Sequence, residues 1–428
     1  MINNTEQQYV VGEKLFTNKT DAVLYANQTL AAVRMMRNSI GPHYSVGENV
    51  FINKIDAILY ANQTSATVKW HFYEDKFSTI NWTVEPEESL DYWYKLRAQE
   101  IRDTYDYVVI LCSGGADSTN VVKTFLNNNI KIDEIIAAAP MEGLRDYSFN
   151  DKDPSHSNTI SETIYAQIPL IKEISSQHPE VKITLHDYFQ DMLDYDTDEW
   201  LYRCDDWIHP SSAARYRYER VTHLRNLAES GKRIAFVYGI DKPSLIVGES
   251  DDVYIIFSDV AVNVKRPPFD REYPNVDTVM FYWTPTVPEL LIKQAHSVAK
   301  WIYKPENSTA LKYLNYYKTA KTMTFEERRY NNSKYERAIV PCIYPTTSKK
   351  IFQAEKPSKL FLGEHDDWFY QLHNKTRTFE MILSDTNNFY KNIDSKYLNS
   401  AGNGFNIFGN YYKIGKVNDF NKRHISEK

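Results

Sequence analysis

Five consecutive apolar residues at 108–112 suit a strand covered on both faces, and Val121, Val122 and Phe125 follow at the spacing of a helix that opens just beyond it. The alternation continues downstream. Strands are expected at 132–139, 181–186 and 233–238 and helices at 158–176 and 213–230, the rhythm of a parallel α/β sheet. Upstream, Leu90, Tyr94, Ala98 and Ile101 fall at helical spacing with Trp93 beside them, so a helix leads into the first strand. After the aromatic segment Phe281-Tyr-Trp-Thr-Pro, a further helix starts with Pro288 in its first turn.

The chain opens differently, with a repeat. The segment 11–29, from Val11-Gly-Glu to Ala-Asn-Gln-Thr29, recurs as 46–64, from Val46-Gly-Glu to Ala-Asn-Gln-Thr64. Each copy reads as strand, Gly-Glu turn, short strand ending at Phe16 or Phe51, then a helix from Asn18 or Asn53, whose side chain can cap the first turn. Ala22, Leu24 and Tyr25, with Ala57, Leu59 and Tyr60, give each helix an apolar face. One unit is too short to bury that face alone, so the two copies are expected to pack as one pseudo-symmetric domain. Pro86 and the acidic residues around it mark the next junction.

These patterns divide the 428 residues into a small α+β repeat domain at 1–79, an α/β domain at 80–300 with a parallel twisted sheet and flanking helices, and a mainly helical, Tyr- and Asn-rich region at 301–428. A quarter of the residues are charged and no apolar run is long enough to span a bilayer, so a soluble protein is expected. The first residues carry neither the basic region nor the apolar stretch of a signal peptide, which makes the cytoplasm the expected location. A net charge of −6 disfavours nucleic acid as a partner and leaves a homo-oligomer open. Cys112, Cys204 and Cys342 contain no Cys-x-x-Cys pair, which argues against a disulfide scaffold, a zinc knuckle or an iron–sulfur centre. Cys112 is expected to pack at the end of the central strand.

The residues with most chemistry end that strand: Ser113-Gly114-Gly115-Ala116-Asp117-Ser118. Two glycines let backbone approach an anion, successive amides can point into one concavity, and a helix N-terminus adds partial positive charge. Ser113 and Ser118 add hydroxyl donors. Asp117 fits beside phosphates once a divalent cation is included. A Walker A loop is excluded, because Gly-x-x-x-x-Gly-Lys-Ser/Thr is absent; the plain alternative is an ordinary glycine turn.

Ser-Gly-Gly-x-Asp-Ser after an apolar strand resembles the PP-loop of the N-type ATP pyrophosphatases, which include asparagine, GMP and NAD synthetases and phosphoadenylyl-sulfate reductases. The resemblance covers the motif and, more loosely, residues 96–300. It implies a HUP-like domain that binds ATP with Mg²⁺, the loop residues Ser113, Gly114, Gly115, Ala116 and Ser118 holding the β,γ-pyrophosphate. A substrate oxygen then attacks the α-phosphate, giving an adenylated intermediate. In such sheets ligands sit beyond the carboxyl ends of the strands, where the Ser113 loop and the turns at 140–143 and 239–243 converge. Asp241 and Lys242, in Gly239-Ile-Asp-Lys-Pro243, are the candidates there: Asp241 with Asp117 as metal ligands and catalytic residues, Lys242 against charge on the α-phosphate and leaving pyrophosphate. Arg217 and Arg220, three apart on a helix, could face one anion together, with a solvated helix face as the plain alternative.

The leading expectation is an adenylating enzyme of asparagine-synthetase type that activates a carboxylate or related carbonyl. Its nitrogen would come from free ammonia or a donor protein, since Ile2 stands where a class II glutaminase needs a cysteine. Two alternatives stay open. One is a reductase-like nucleotide enzyme, for which Cys342 lacks the Glu-Cys-Gly surroundings; the other is a non-catalytic ATP-binding sensor or assembly protein. Cys204, between Arg203 and Asp205, and His209, before Pro210, are weaker candidates for a nucleophile and an acid or base.

Overall fold

A computed structural model describes residues 8–11, 14–16, 33–36, 42–51, 54–139, 163–187, 221–240, 242–259, 273–320, 322–323, 325–344, 392, 398–399 and 406–422. The expected turn at 140–143, the caps Asn18 and Asn53, and Cys204, His209, Arg217, Arg220 and Asp241 lie outside these residues.

The repeats share one antiparallel sheet. The first contributes β1 (Gln8–Val11), β2 (Lys14–Phe16) and β3 (Val33–Met36). The second contributes β4 (His43–Val46), β5 (Asn49–Phe51), helix α1 (Lys54–Thr64) and β6 (Val68–His71). The sheet order is β3-β1-β2-β5-β4-β6. Registers match between copies: Tyr9 faces Phe16 as Tyr44 faces Phe51, and Gln8 faces Met36 as His43 faces His71. The units meet where Leu15 faces Val50, its own counterpart, so a local two-fold axis runs between those residues. The third strand of each copy goes beyond the unit read from the sequence. In α1 the deeply buried apolar residues are Ala57, Ile58 and Ala61, whereas Leu59 and Tyr60 are only partly covered. Small alanines let the helix lie close to its sheet, and the larger side chains are displaced to the flank.

The second unit is joined to the rest of the chain by a buried ion pair and an aromatic cluster. Lys54 meets Asp259 at 2.8 Å, and the same carboxylate accepts hydrogen bonds from the Tyr44 hydroxyl at 2.8 Å and the Ile407 amide at 2.9 Å. Phe72, Phe77, Trp82, Phe257, Trp283 and Tyr412 stack edge and face between the units.

The short helix α2 (Glu74–Phe77) leads to α3 (Leu90–Thr104), whose start is capped by Ser89 accepting from the Tyr92 amide at 3.2 Å. A parallel sheet follows: β7 (Tyr107–Leu111), helix α4 (Ala116–Asn127), β8 (Glu134–Ala139), a π-helical turn Thr163–Gln167 continuing into α5 (Ile168–Gln177), β9 (Lys182–Asp187), α6 (Thr222–Glu229), β10 (Ile234–Tyr238) and β13 (Val276–Met280). All four strand pairs are parallel and the order is β13-β10-β7-β8-β9. The molecule is therefore α/β, with a five-stranded parallel sheet flanked by helices. Interior β10 is buried throughout, while edge strand β9 has no buried residue and edge strand β13 is buried only at Val276 and Val279. Continuous apolar runs mark only strands covered on both faces.

Between β10 and β13 the chain forms a hairpin, β11 (Ser244–Val247) and β12 (Asp252–Ile256). Beyond β13 run α7 (Pro288–Ile302), the short strand β14 (Asn315–Tyr316), α8 (Phe325–Ile343), the two-residue strands β15 (Leu398–Asn399) and β16 (Asn406–Ile407) and then β17 (Tyr412–Lys416). Strands β14 and β17 flank the hairpin in a sheet ordered β14-β11-β12-β17. The region expected to be mainly helical thus supplies strands to a second sheet, because the hairpin's two edges need partners. Among the described residues no helix is long and apolar enough to cross a membrane.

Candidate functional site

The parallel sheet begins in its middle. The chain enters at β7, moves outward through β8 and β9, then returns to the other side of β7 with β10 and β13. The order reverses between β7 and β10, and there the crossover helices diverge and leave a crevice at the carboxyl ends of the strands. Ser113 to Ser118 follow β7 and the turn from Gly239 follows β10, so both border this crevice.

The loop is shaped by contacts that only glycine permits. Gly114 has φ of +83°, and a Cβ there would meet the backbone of the π-helical turn, the Ala166 carbonyl carbon at 2.6 Å and the Gln167 nitrogen. Buried Gln167 fixes that turn by donating to the carbonyls of Cys112 at 2.7 Å and Ala138 at 3.2 Å, tying the ends of β7 and β8 together. On the other side, a Cβ on Gly239 would lie 2.9 Å from the Asp117 carbonyl carbon and the Ser118 nitrogen. The π-helical turn and the end of β10 therefore clasp the loop from both flanks.

Its polar groups are sorted. Thr119 donates its hydroxyl to the Gly114 carbonyl at 3.2 Å and its amide to the Gly115 carbonyl at 3.0 Å, and Ser118 donates to the Gly115 carbonyl at 3.3 Å. The Gly115 amide donates to Ser113 Oγ at 3.2 Å. Gly115 is the N-cap of α4 and brings no capping side chain. Among the described residues no acceptor meets the amides of Gly114, Ala116, Asp117 or Ser118. Carbonyls are consumed inside, and amides with helix-terminal positive character remain.

Lys242 reaches across from β10 and places Nζ 2.6 Å from Asp117 Oδ2, with side-chain exposures of 12% and 28%. The turn bearing Lys242 is anchored from below, where the Tyr335 hydroxyl of α8 donates to the Pro243 carbonyl at 3.0 Å. Asp117 Oδ1 is buried, and the Tyr344 hydroxyl beneath it interacts with this carboxylate without completing a hydrogen bond of good geometry. Beneath it lie three buried tyrosines. The Tyr282 hydroxyl donates to the Asp117 carbonyl at 2.9 Å and accepts from Asn120 at 2.9 Å; its ring packs against Tyr94 and Tyr344. Burial first, and the negative charge of Asp117 and neighbouring groups, push the Tyr282 and Tyr344 phenols well above their ordinary range. They stay neutral, so the floor of the site carries hydroxyl dipoles and no second charge.

No protein-family model and no characterised protein matches this sequence. The reading rests on geometry. Of the residues singled out from sequence, the structure brings Ser113, Gly114, Gly115, Ala116, Asp117, Ser118 and Lys242 to one crevice; Asp241, Arg217 and Arg220 lie outside the described residues. The free amides and Lys242 suit a phosphate chain. For a divalent cation the described donor set is one carboxylate, Asp117, already paired with Lys242, and no group of three acidic, histidine or cysteine ligands occurs among the described residues. These residues by themselves do not build a cation site. Gln167, Tyr282 and Tyr344 were not legible as site residues. Gly239 carried a signal, since like Gly114 it comes just after an apolar strand.

Proposed function

We propose that the chain binds ATP at this crevice and adenylates an acceptor oxygen, releasing pyrophosphate. The observation that carries the reading is the join, at the sheet's switch point, of loop amides that meet no acceptor among the described residues with Lys242, which reaches the loop at Asp117 from the turn after the neighbouring strand. Anions favour such a helix start, and Lys242 would neutralise charge as it develops. In the reaction a carboxylate or related carbonyl oxygen attacks the α-phosphorus and forms a P–O bond. The bond from that phosphorus to the bridging oxygen breaks, and pyrophosphate leaves with its electron pair. An amine then displaces AMP from the activated acyl group, as in asparagine-synthetase-like amidation. Phosphates require Lys242 to release Asp117, so the Asp117–Lys242 pair is read as the resting form of the loop. A divalent cation would arrive with the nucleotide, and Asp117 is the described carboxylate that stands at the loop.

A reductase-like reading needs a reactive C-terminal cysteine. Cys342, within α8, has its thiol pushed up to about 12 by burial, which keeps it protonated and unreactive near neutral pH. The adenylating reading is favoured for that reason.

Pyrophosphate release from ATP, Mg²⁺ and a panel of carboxylates, with ammonia as nitrogen source, tests the proposal. Lys242→Met is expected to lower turnover by about 10²–10³-fold, the usual cost of one charge-stabilising donor. ATP binding without release in any mixture would turn the reading toward a sensor, and absence of binding would end it.

A further inference from the structure

We propose that Ser45, His71 and Glu74 form a second, hydrolytic centre for acyl esters on the outer face of the repeat sheet. Side chains alternate along β4 and β6: Tyr44, Val46, Val68 and Trp70 are buried on the inner face, which leaves Ser45, Lys69 and His71 on the other. Ser45 and His71 are diagonal neighbours across the β4–β6 ladder, where His43 faces His71 and Ser45 faces Lys69. The polar atoms meet in a set order. Ser45 Oγ is 2.8 Å from His71 Nε2, and His71 Nδ1 is 2.9 Å from Glu74 Oε2.

This is nucleophile, base and orienting carboxylate in line. In the tautomer protonated at Nδ1, His71 donates a hydrogen bond to Glu74 Oε2, and the Nε2 lone pair is left to receive the Ser45 proton. His43 stacks on His71 at 4.8 Å and 15° between ring planes, so the imidazole is held in that plane. The side chains of His71 and Glu74 are about a quarter exposed, at 26% and 28%, which leaves the site open to a substrate in solution. Lys69 is exposed and pairs with Ser45 in the ladder, so its long side chain would be the cation available to the developing oxyanion. Among the described residues the histidines and acids do not gather as metal ligands.

The repeat offers an independent control. Both copies keep the same strand register, and the inner positions Tyr44, Val46 and Val68 correspond to Tyr9, Val11 and Val33. The outer positions Ser45 and His71 correspond to Val10 and Met36. One copy thus carries the proton-transfer pair where the other has two apolar residues, so the pair is not needed to build the unit.

Catalysis would proceed in two balanced halves. Ser45 Oγ attacks the ester carbonyl while its proton passes to His71 Nε2; the tetrahedral oxyanion collapses, the leaving alkoxide takes that proton, and an acyl-Ser45 remains. Water then attacks the acyl group, gives its proton to His71, and collapse returns the proton to Ser45 as the carboxylic acid departs.

A fluorophosphonate probe and p-nitrophenyl acetate, used on the full chain, test this. The probe's mass is expected on the peptide containing Ser45, and Ser45→Ala and Ser45→Val, the latter copying Val10, are expected to lose labelling and hydrolysis with unchanged thermal unfolding. Glu74→Gln, at a positioning residue, is expected to slow labelling about tenfold or more with KM for the acetate unchanged. An unlabelled wild-type chain, a probe attached elsewhere, or equal labelling of Ser45→Ala would overturn the proposal.

Discussion

The two ends of the parallel sheet each hold a carboxylate, and they are treated in opposite ways. At the amino ends, Glu134 is fully buried and both its oxygens are used: it accepts from the Tyr107 hydroxyl at 2.9 Å, from Thr184, and from His223 at 2.9 Å, with Lys182 at 3.5 Å. At the carboxyl ends, Asp117 has one oxygen held by Lys242 and the other buried, with only an imperfect contact to the Tyr344 hydroxyl. Leaving a buried oxygen unmet costs about 1–3 kcal/mol. The fold tolerates part of that cost at the crevice and avoids it at the opposite end, a difference in keeping with the proposal that Asp117 meets a ligand.

The largest effect should come from removing what allows the crevice to exist. Gly114→Ala forces a Cβ into the Ala166–Gln167 backbone at a positive φ, and is expected to cost about 3–5 kcal/mol, read from urea unfolding, together with all nucleotide binding. If its stability matched wild type, the close clasp described above would be wrong.

Next, the two carboxylates should separate cleanly. Glu134→Ala strips Tyr107 and Thr184 of their acceptor and is expected to lose about 2–3 kcal/mol with nucleotide affinity unchanged; His223 and Lys182, exposed to 36% and 45%, are re-solvated and temper the loss. Asp117→Asn should behave in the reverse manner, shifting stability by less than about 1 kcal/mol while abolishing pyrophosphate release. Equal stability losses for the two variants would erase the contrast.

The smallest effect sharpens the comparison through pH. Asp133, beside Glu134, resists its own burial because Lys131, Arg102 at 2.5 Å and the Val108 amide at 2.8 Å hold the carboxyl below its usual value. A lowered folded value gives stability that is complete above the ordinary carboxylate pKa of about 3.9 and is lost as pH falls through the depressed value. Asp133→Asn should therefore lose stability at neutral pH, where the ionised carboxylate contributes, and converge on wild type as pH falls below about 4, which flattens the acid limb measured by thermal unfolding. An unaltered acid limb would assign acid sensitivity elsewhere, such as Glu85, which burial raises but Lys300 and Lys293 hold low.

Local patterns carried far in this chain. The central strands β7, β8 and β10 appear as apolar runs because both their faces are covered, and the glycine pair at 114–115 stands out because a strand must give way to a helix within a few residues. The repeat was visible for the same reason: its strands, turn and helix are encoded by neighbours in sequence. Edge strand β13 was not legible, since Val276-Asp-Thr-Val-Met280 is short and neither alternates nor runs continuously apolar, whereas the hairpin of β11 and β12 did carry a signal, the turn residues Gly248 to Asp252 between two apolar runs. Asp117 and Lys242 were each recognisable from their positions after strands, but their 2.6 Å contact depends on β10 lying next to β7.

The sequence alone determined the strand–loop–helix that opens the crevice and the duplication at the start, because spacing, glycine freedom and amphipathic period act over a few residues. Tertiary structure alone decided that β17 joins the hairpin, that Gln167 and Tyr282 brace the loop, and that His71 meets Ser45 across a ladder. Each of these contacts joins segments far apart along the chain, and their pairing follows from which surfaces are buried together once the sheets have formed.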